Sequence, residues 1–309
     1  MSRNRPRVGD SLPIDIDRPF TRAAGLHAGL SDTAMQGRAF RRLFTGVYIH
    51  SGIPVTAALW SEAARLITPA GAFATHHTAA RALGAIVPFT SVTHVGAVTG
   101  ARTRTRGIRL HRYAALPDLV EVDGQLVTGA VQTFLDLADR LDLVDLVVLG
   151  DSLVHLGHTT PEELVDAATG RTSRLAREAA AYVRAGAQSG PETRLRLLYV
   201  LAGLPEPSTQ VRVARSNGGV FWLDLGWEEV LAASEYDGEH HALQQEHDAD
   251  RRAEIRDAGW ELRVVTSPDL WRTPGALVTD ARAMLTQRGL RLPTPQERWR
   301  AHFLNWGAA

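Results

Sequence analysis

The sequence FWLDL at residues 221–225, followed by LAASEYDG at residues 231–238, decides the fold of the C-terminal part of the chain. Both runs carry apolar residues in a pattern typical of neighbouring β-strands. Asp224 lies near the end of the first run, and Glu235 and Asp237 lie two residues apart on the second. Adjacent strands are about 4.8 Å apart, so carboxylates that meet at their ends repel one another unless a cation binds or one takes a proton. The sequence therefore predicts a hard-metal site at this sheet edge.

The residues around this strand pair predict the rest of the domain. Ser189 or Gly190 can cap a helix that ends at Gly203. Pro191 suits the first turn of this helix, and Glu192 follows where a carboxylate favours the helix dipole. The pattern then predicts strands at 210–214, 220–225 and 230–237, a helix at 243–258, a strand at 260–266 and a closing helix from 273. We expect a mixed sheet flanked by helices.

This order of elements and acids resembles the restriction-endonuclease-like fold, and in particular the very-short-patch mismatch repair endonucleases. The resemblance spans about residues 189–285 and is carried by Glu192, Asp224, the run Glu235-Tyr236-Asp237-Gly238 with His240 and His241, and residues 259–266. In that superfamily the first strand's aspartate and the next strand's acid bind Mg²⁺, and a helix glutamate assists. The resemblance implies that Asp224 and Glu235 bind Mg²⁺ or Mn²⁺, that Glu192 supports them, and that the substrate is DNA.

One position departs from the superfamily's pattern. A lysine two residues after the second acid normally orients the attacking water, whereas this chain has Asp237 there and contains no lysine. Asp237 can act with His240 or His241 as a metal-assisted base, as histidines do in the mismatch-repair relatives. The other outcome is a site that binds metal and DNA without cutting.

Each of these residues also has a purely structural interpretation. Glu192 can serve only as a helix-start acid, and His240-His241 can cap a loop. Arg251 and Arg252, on the helix that follows, can pair with the acids or contact a phosphate. Glu235 is harder to explain in this way, because an unpaired carboxylate on a half-buried strand is costly.

Composition limits the chemistry. The 309 residues, 44% of them apolar, are enough for about two domains. All 34 basic residues are arginine and cysteine is absent, which excludes a lysine Schiff base, a phosphate-loop lysine, thiol catalysis and disulfides. Residues 1–50 carry eight arginines and four acids, whereas residues 221–260 carry eleven acids and three arginines. One end therefore suits phosphates and the other suits cations.

The N-terminal segment predicts a DNA-binding module. Residues 20–30 form one predicted helix, Ser31 caps a second helix over 32–42, and residues 43–49 turn into a strand, which is the order of a winged helix. Residues 21–49 also resemble the winged helix of the abortive-infection type IV antitoxins. The predicted phosphate contacts near the end of the second helix are Arg38, Arg41 and Arg42. The alternative is a small helical cap with solvated arginines.

The middle segment, residues 50–170, resembles the domain that accompanies the antitoxin winged helix. Residues 92–98 and 108–113 predict a β-hairpin, and its basic tip carries Arg102, Arg104 and Arg106. Alternate arginines share one face and can follow a phosphate chain, or the tip is a solvated loop. The other predicted elements are helices at 54–69, 76–83, 129–140, 142–155 and 161–169 and a strand at 120–128. The pair His76-His77 indicates a capping or packing role, because helical neighbours point about 100° apart and cannot easily share an ion.

These patterns together predict an α/β protein, α+β overall, with a winged-helix DNA-binding domain at 18–50, an antitoxin-like middle domain at 51–170 and a restriction-endonuclease-like domain at 189–290. The predicted function is Mg²⁺-dependent nicking of DNA. The alternative is a non-catalytic DNA-binding regulator or antitoxin, with a cognate toxin as partner; a structural interaction protein is a third possibility. No apolar run approaches the ~18 residues of a membrane span, so we expect a cytoplasmic protein with no membrane partner.

Overall fold

The computed structural model describes residues 13–98, 105–170, 173–215, 218–238 and 245–303. Helices and sheets form an α+β architecture, which confirms the predicted fold class. The chain divides into two compact units, Met1–Leu137 and Ala138–Ala309. The three predicted domain ranges stay a prediction.

The first unit begins with a small three-stranded sheet. Its elements are β1 (Phe20–Thr21), α1 (Arg22–His27), α2 (Asp32–Met35), β2 (Phe40–Phe44) and β3 (Val47–His50), with strand order β1-β3-β2. Thr21 and Ser31 begin the two helices, because their side-chain oxygens accept the N–H of Ala24 and Ala34 at 3.1 Å. Two helices followed by a hairpin is the predicted order.

The second helix is shorter than the sequence predicts. It ends at Met35 rather than near residue 42, and Arg41 and Arg42 lie on β2. Gly37 favours this early end because glycine is a poor helix former, and the aromatic residues of β2 become buried when the strand pairs with β3. Both arginines are exposed on β2, an edge strand of this sheet, and a register shift follows between Arg42 and Phe44. The expected helix-end position of these arginines is therefore wrong.

A five-stranded mixed sheet forms the rest of the first unit. Its elements are α3 (Ala57–Arg65), β4 (Phe73–Ala74), α4 (His76–Ala82), β5 (Thr93–Ala97), β6 (Ile108–Arg112), β7 (Leu119–Val122), β8 (Gln125–Thr128) and α5 (Ala130–Leu137). The strand order is β6-β5-β4-β8-β7. The pairs β5/β6 and β4/β8 are parallel, and the pairs β4/β5 and β7/β8 are antiparallel.

Two predictions for this sheet are wrong. The strands β5 and β6 pair in parallel, from Thr93 with Ile108 to Ala97 with Arg112, so they do not form a hairpin. Side chains alternate with period two in parallel and antiparallel pairs alike, so the sequence pattern does not distinguish the two. The segment that connects β5 to β6 is long enough for the chain to return to the same end of the sheet. The single strand predicted at 120–128 is two strands, because Asp123 and Gly124 both have positive φ, 50° and 73°, and make a tight turn.

The second unit contains the predicted mixed sheet. Its elements are α6 (Leu143–His155), α7 (Pro161–Thr169), α8 (Arg174–Tyr182), α9 (Gly190–Leu201), β9 (Ser208–Ala214), β10 (Val220–Trp227), β11 (Ala232–Asp237), α10 (Gln245–Asp257), β12 (Glu261–Thr266), α11 (Ser267–Arg272), α12 (Pro274–Gln287) and α13 (Arg300–Phe303). The strand order is β12-β11-β10-β9, with β11 and β12 parallel and the other pairs antiparallel. The predicted sequence of helix, three strands, helix, strand and helix is confirmed, and the short helix α11 is an addition.

A buried arginine ties α9 to the helices before it. The side chain of Arg196 is fully buried and donates to Asp151 Oδ2 at 2.8 Å and to the Tyr182 carbonyl at 2.9 Å. Thr193, on the same helix, donates to the same carboxylate oxygen at 2.9 Å. These bonds fix the helix whose first turn carries Glu192.

Among the residues that the structure describes, no helix is long and apolar enough to cross a membrane.

Candidate functional site

Asp224 lies where the sheet of the second unit opens. β10 pairs with β11 only from Leu225 onward, so the two strands separate at Asp224. On the other side, Asp224 faces Gln210, which leaves the ladder because its backbone is left-handed, with φ 49°. The N–H of Tyr236 donates to Asp224 Oδ2 at 2.9 Å and so replaces a ladder bond with a side-chain bond. A strained residue beside an opened ladder is a common setting for a functional site.

The opening forms a cleft. Its volume is about 430 Å³, and its lining residues are Gln188, Gln210, Trp222 and Asp224. The indole of Trp222 is largely exposed beside the acid. A carboxylate and a flat aromatic ring at the rim of an open cleft can bind a ligand that has both a charged group and a planar group.

The environment of Asp224 disfavours its charged form. Burial, then the negative charges of Glu192 and Glu235, raise the pKa of the Asp224 carboxyl to about 7, against the opposing bond from Tyr236. Glu192 and Glu235 therefore both act electrostatically on Asp224, whereas Asp237, the third acid that the strand pattern predicts at this edge, is paired with Arg252. A cation beside Asp224 would relieve this repulsion.

Glu192 has the structural role that the sequence also allowed. The N–H of Gln188 donates to its Oε2 at 2.9 Å and the Ser189 hydroxyl donates to its Oε1 at 2.8 Å. Ser189 caps the helix in return by accepting the Glu192 N–H at 3.3 Å. The carboxylate is thus held at the start of α9, close enough to Asp224 to raise its pKa.

Glu235 is paired with an arginine. Arg251 donates to both of its oxygens, at 2.7 and 2.5 Å, and to the Trp222 carbonyl at 3.0 Å. The next arginine, Arg252, donates to Asp237 at 3.3 Å. Of the two roles that the sequence left open for these arginines, the structure shows pairing with the acids. The positive charge of Arg251 therefore lies where the predicted metal would share Glu235.

The predicted site is only partly assembled. In the described part of the chain, the acids do not form a group of three or more ligands within 4.8 Å of one another, and the only such group is His76, His94 and His111 in the first unit. His240 and His241 lie outside the described residues, so their part in the site stays a prediction. The sequence patterns did not predict the histidine group, because its members lie at the start of one helix and on two separate strands.

The predicted phosphate-binding arginines lie on the surface of the first unit. Arg38, Arg41 and Arg42 are exposed, and so is Arg106. Gly107, beside Arg106, lies next to the Phe44 ring, which a Cβ on the glycine would approach to 3.5 Å. The connection before β6 and the strand that carries Arg41 and Arg42 are therefore close together. Arg102 and Arg104 lie outside the described residues.

Comparison with known proteins gives a relationship without a function. No protein-family model matches the chain. Two curated proteins from two strains of Mycobacterium tuberculosis, both called uncharacterized, are each 28% identical to it over 187 residues. The match covers 58% of this chain and 68% of each mycobacterial protein.

Proposed function

We propose that the chain is a DNA-binding protein whose second unit hydrolyses phosphodiester bonds at Asp224 with a divalent cation. The observation that carries the proposal is the Asp224 carboxyl, which has a pKa of about 7 beside Glu192 and Glu235 at the opening of the sheet. A carboxyl group with a perturbed pKa in a cleft is a typical functional residue. A DNA substrate implies a cytoplasmic protein.

The donor atoms fit Mg²⁺ or Mn²⁺, because carboxylate oxygens are the ligands that hard cations prefer. Asp224 would be the main ligand, oriented by the N–H of Tyr236, and Glu235 would be the second. When bound, the cation would act as a Lewis acid and offset charge on the phosphate. Without it, the raised pKa of Asp224 keeps part of the carboxyl population protonated near neutral pH.

Arg251 is the residue that adapts this site to a polyanion. Its guanidinium neutralises Glu235 and lies over the Phe221 ring, 5.4 Å from the centroid. A DNA phosphate competes with Glu235 for the same guanidinium, since arginine binds both groups through paired hydrogen bonds. Transfer of Arg251 to the phosphate would release Glu235 for the cation.

Nicking of supercoiled plasmid by untagged protein tests the proposal. We expect nicking with Mg²⁺ or Mn²⁺, none with EDTA, and loss of at least a hundredfold in rate for Asp224→Asn, which keeps the acceptor for Tyr236. Glu229→Gln, an exposed acid on the same segment, is the matched control and should retain full activity. Equal nicking by the wild type and Asp224→Asn would rule the proposal out.

The second candidate is a DNA-binding regulator that does not cut, including an antitoxin with a cognate toxin. The pairing of Glu235 and Asp237 with Arg251 and Arg252 favours it, because both acids already have counter-ions. It predicts no nicking by the wild type and unchanged DNA binding by Asp224→Asn. A filter-binding titration run beside the plasmid assay separates the two functions.

A further inference from the structure

Three histidines from separate parts of the first unit meet at one point. His76 is the first residue of α4, His94 lies on β5 and His111 lies on β6. One ring nitrogen of each lies within 4.8 Å of the other two. His76 and His94 are buried and His111 is half-buried. This arrangement supplies three imidazole ligands from a rigid sheet and the helix beside it.

Parallel pairing of the strands brings two of these rings together. His94 is in register with Arg109, and His111 follows Arg109 by two residues, so His94 and His111 share one face of the sheet. His94 Nδ1 lies 2.9 Å from His111 Nε2. The His76 ring stacks on His111, with centroids 3.6 Å apart and planes inclined by 25°.

A hydrogen-bonded network orients His76. Thr75 Oγ1 lies 3.0 Å from His76 Nδ1 and 2.9 Å from Asp136 Oδ2. Tyr113 also donates to Asp136, and Gln132 donates to the other carboxylate oxygen at 2.7 Å. With Thr75 donating to Asp136, Thr75 Oγ1 accepts the Nδ1–H of His76, and Nε2 is then the nitrogen that would bind a metal. Carboxylate-linked contacts of this kind fix the tautomer and the angle of metal-binding histidines.

The backbone of His76 gives a second, independent indication. Its φ is 51°, a left-handed conformation that is unfavourable for a residue with a Cβ. Helix α4 does not need this left-handed conformation in order to begin, because Thr75 already has the extended backbone of an N-cap. Strained residues persist where the surrounding structure requires a particular side-chain direction, and here that direction brings the His76 ring against His111.

We propose that His76, His94 and His111 bind one Zn²⁺ or a similar divalent cation that prefers imidazole, with water as the fourth ligand. Tetrahedral coordination at about 2.0–2.1 Å sets the nitrogens about 3.3 Å apart, and the three ring nitrogens already lie within 4.8 Å of one another. Imidazole favours Zn²⁺ whereas carboxylates favour Mg²⁺. This site is therefore separate in chemistry from the acids of the second unit and does not rest on the proposed nuclease function.

Metal content and calorimetry of untagged protein test this site. After EDTA treatment and dialysis, titration with ZnCl₂ should give one high-affinity site per chain, and Co²⁺ in its place should show the visible absorption of four-coordinate cobalt. We expect His94→Gln and His111→Gln each to weaken Zn²⁺ binding at least a hundredfold. Asp136→Asn should weaken binding about 10–100-fold, because it loosens His76 without removing a ligand.

Three controls distinguish Zn²⁺ binding at the three histidines from binding elsewhere and from loss of the fold. His155→Gln, an exposed histidine of α6, should bind Zn²⁺ as the wild type does, and so should Asp224→Asn. Circular dichroism of each metal-free variant checks that the histidine replacements still fold, and the half-buried His111 is the position that best tolerates a change. Absence of Zn²⁺ binding by the wild type at micromolar concentration, or equal binding by the folded His94→Gln and His111→Gln variants, overturns the proposal and leaves a packed histidine cluster.

Discussion

The carboxylate of Asp224 accepts a hydrogen bond from the backbone N–H of Tyr236 at 2.9 Å, where β10 and β11 stop pairing. The side chain thus takes the place of a ladder carbonyl and keeps a fixed orientation at the mouth of the cleft. A carboxylate can accept about four hydrogen bonds, so this one bond leaves it capacity to bind a ligand. The backbone of the sheet therefore fixes the position of Asp224. The protonation and ligand binding of its carboxylate can be measured without an activity assay.

The first prediction concerns stability and pH. Burial, then Glu192, raise the pKa of Asp224 from 3.8 to about 7 in the folded chain. The folded chain therefore binds this proton more tightly than the unfolded chain does, and the stabilisation is lost as the pH rises from about 4 through 7. Asp224→Asn should remove this part of the pH dependence and stabilise the protein at pH 8 by about 4 kcal/mol, at about 1.4 kcal/mol for each unit of pKa. Urea unfolding at pH 5 and pH 8 measures both effects, and an unchanged difference between the two pH values would contradict the prediction.

The second prediction concerns the cation. On the proposed function, Mg²⁺ or Mn²⁺ bound at Asp224 would stabilise the folded state, by about 2.7 kcal/mol at a hundredfold excess over Kd. We expect a rise in Tm at pH 8 for the wild type and none for Asp224→Asn. Glu229→Gln should behave as the wild type, so an equal rise in all three proteins would mean that the ion binds elsewhere.

The third prediction concerns Arg251. Removal of its guanidinium in Arg251→Met leaves the buried carboxylate of Glu235 without its bidentate partner, which should cost about 2 kcal/mol of unfolding free energy. The double variant Arg251→Met/Glu235→Gln should recover most of this loss. Arg252→Met is the matched control, and it should cost less than about 1 kcal/mol because its pair with Asp237 is more exposed. If the two arginine variants were equally stable, Arg251 would not be the main counter-ion of the site.

The fourth prediction concerns the buried pair in the helical part of the second unit. Arg196→Met leaves Asp151 buried without its cation, and loss of one partner of such a pair costs about 3–5 kcal/mol. Arg174→Met, at an exposed position of α8, should change stability by less than about 0.5 kcal/mol. Equilibrium unfolding in urea compares the two variants directly.

The fifth prediction concerns DNA. Arg41 and Arg42 are exposed on β2, and each contact with a DNA phosphate that the proposed function gives them would contribute about 0.9 to the slope of log K against log salt concentration. Arg41→Ala/Arg42→Ala should weaken DNA binding and lower that slope by about 2. Arg140→Ala, an exposed arginine of the second unit, should leave the slope unchanged. An unaltered slope in the β2 variant would place the DNA-binding surface elsewhere.

Local sequence rules account for the elements that were predicted well. Ser189 and Pro191 mark the start of α9, and Gly259 marks the end of the helix before β12. These residues act through backbone geometry and capping within a few positions of the chain. The same rules failed at α2, whose end depends on burial of the β2 aromatics against β3.

The sequence by itself determined the α+β class, the order of elements in the second unit and the meeting of Asp224 with the acid-bearing strand, because all three follow from local patterns and strand adjacency. The tertiary structure alone decided that Arg251 neutralises Glu235 and that His76 joins His94 and His111. These contacts join residues 16 or more positions apart, on different secondary-structure elements. The direction of strand pairing and the path of the connections set them, and alternation with period two carries no information about either.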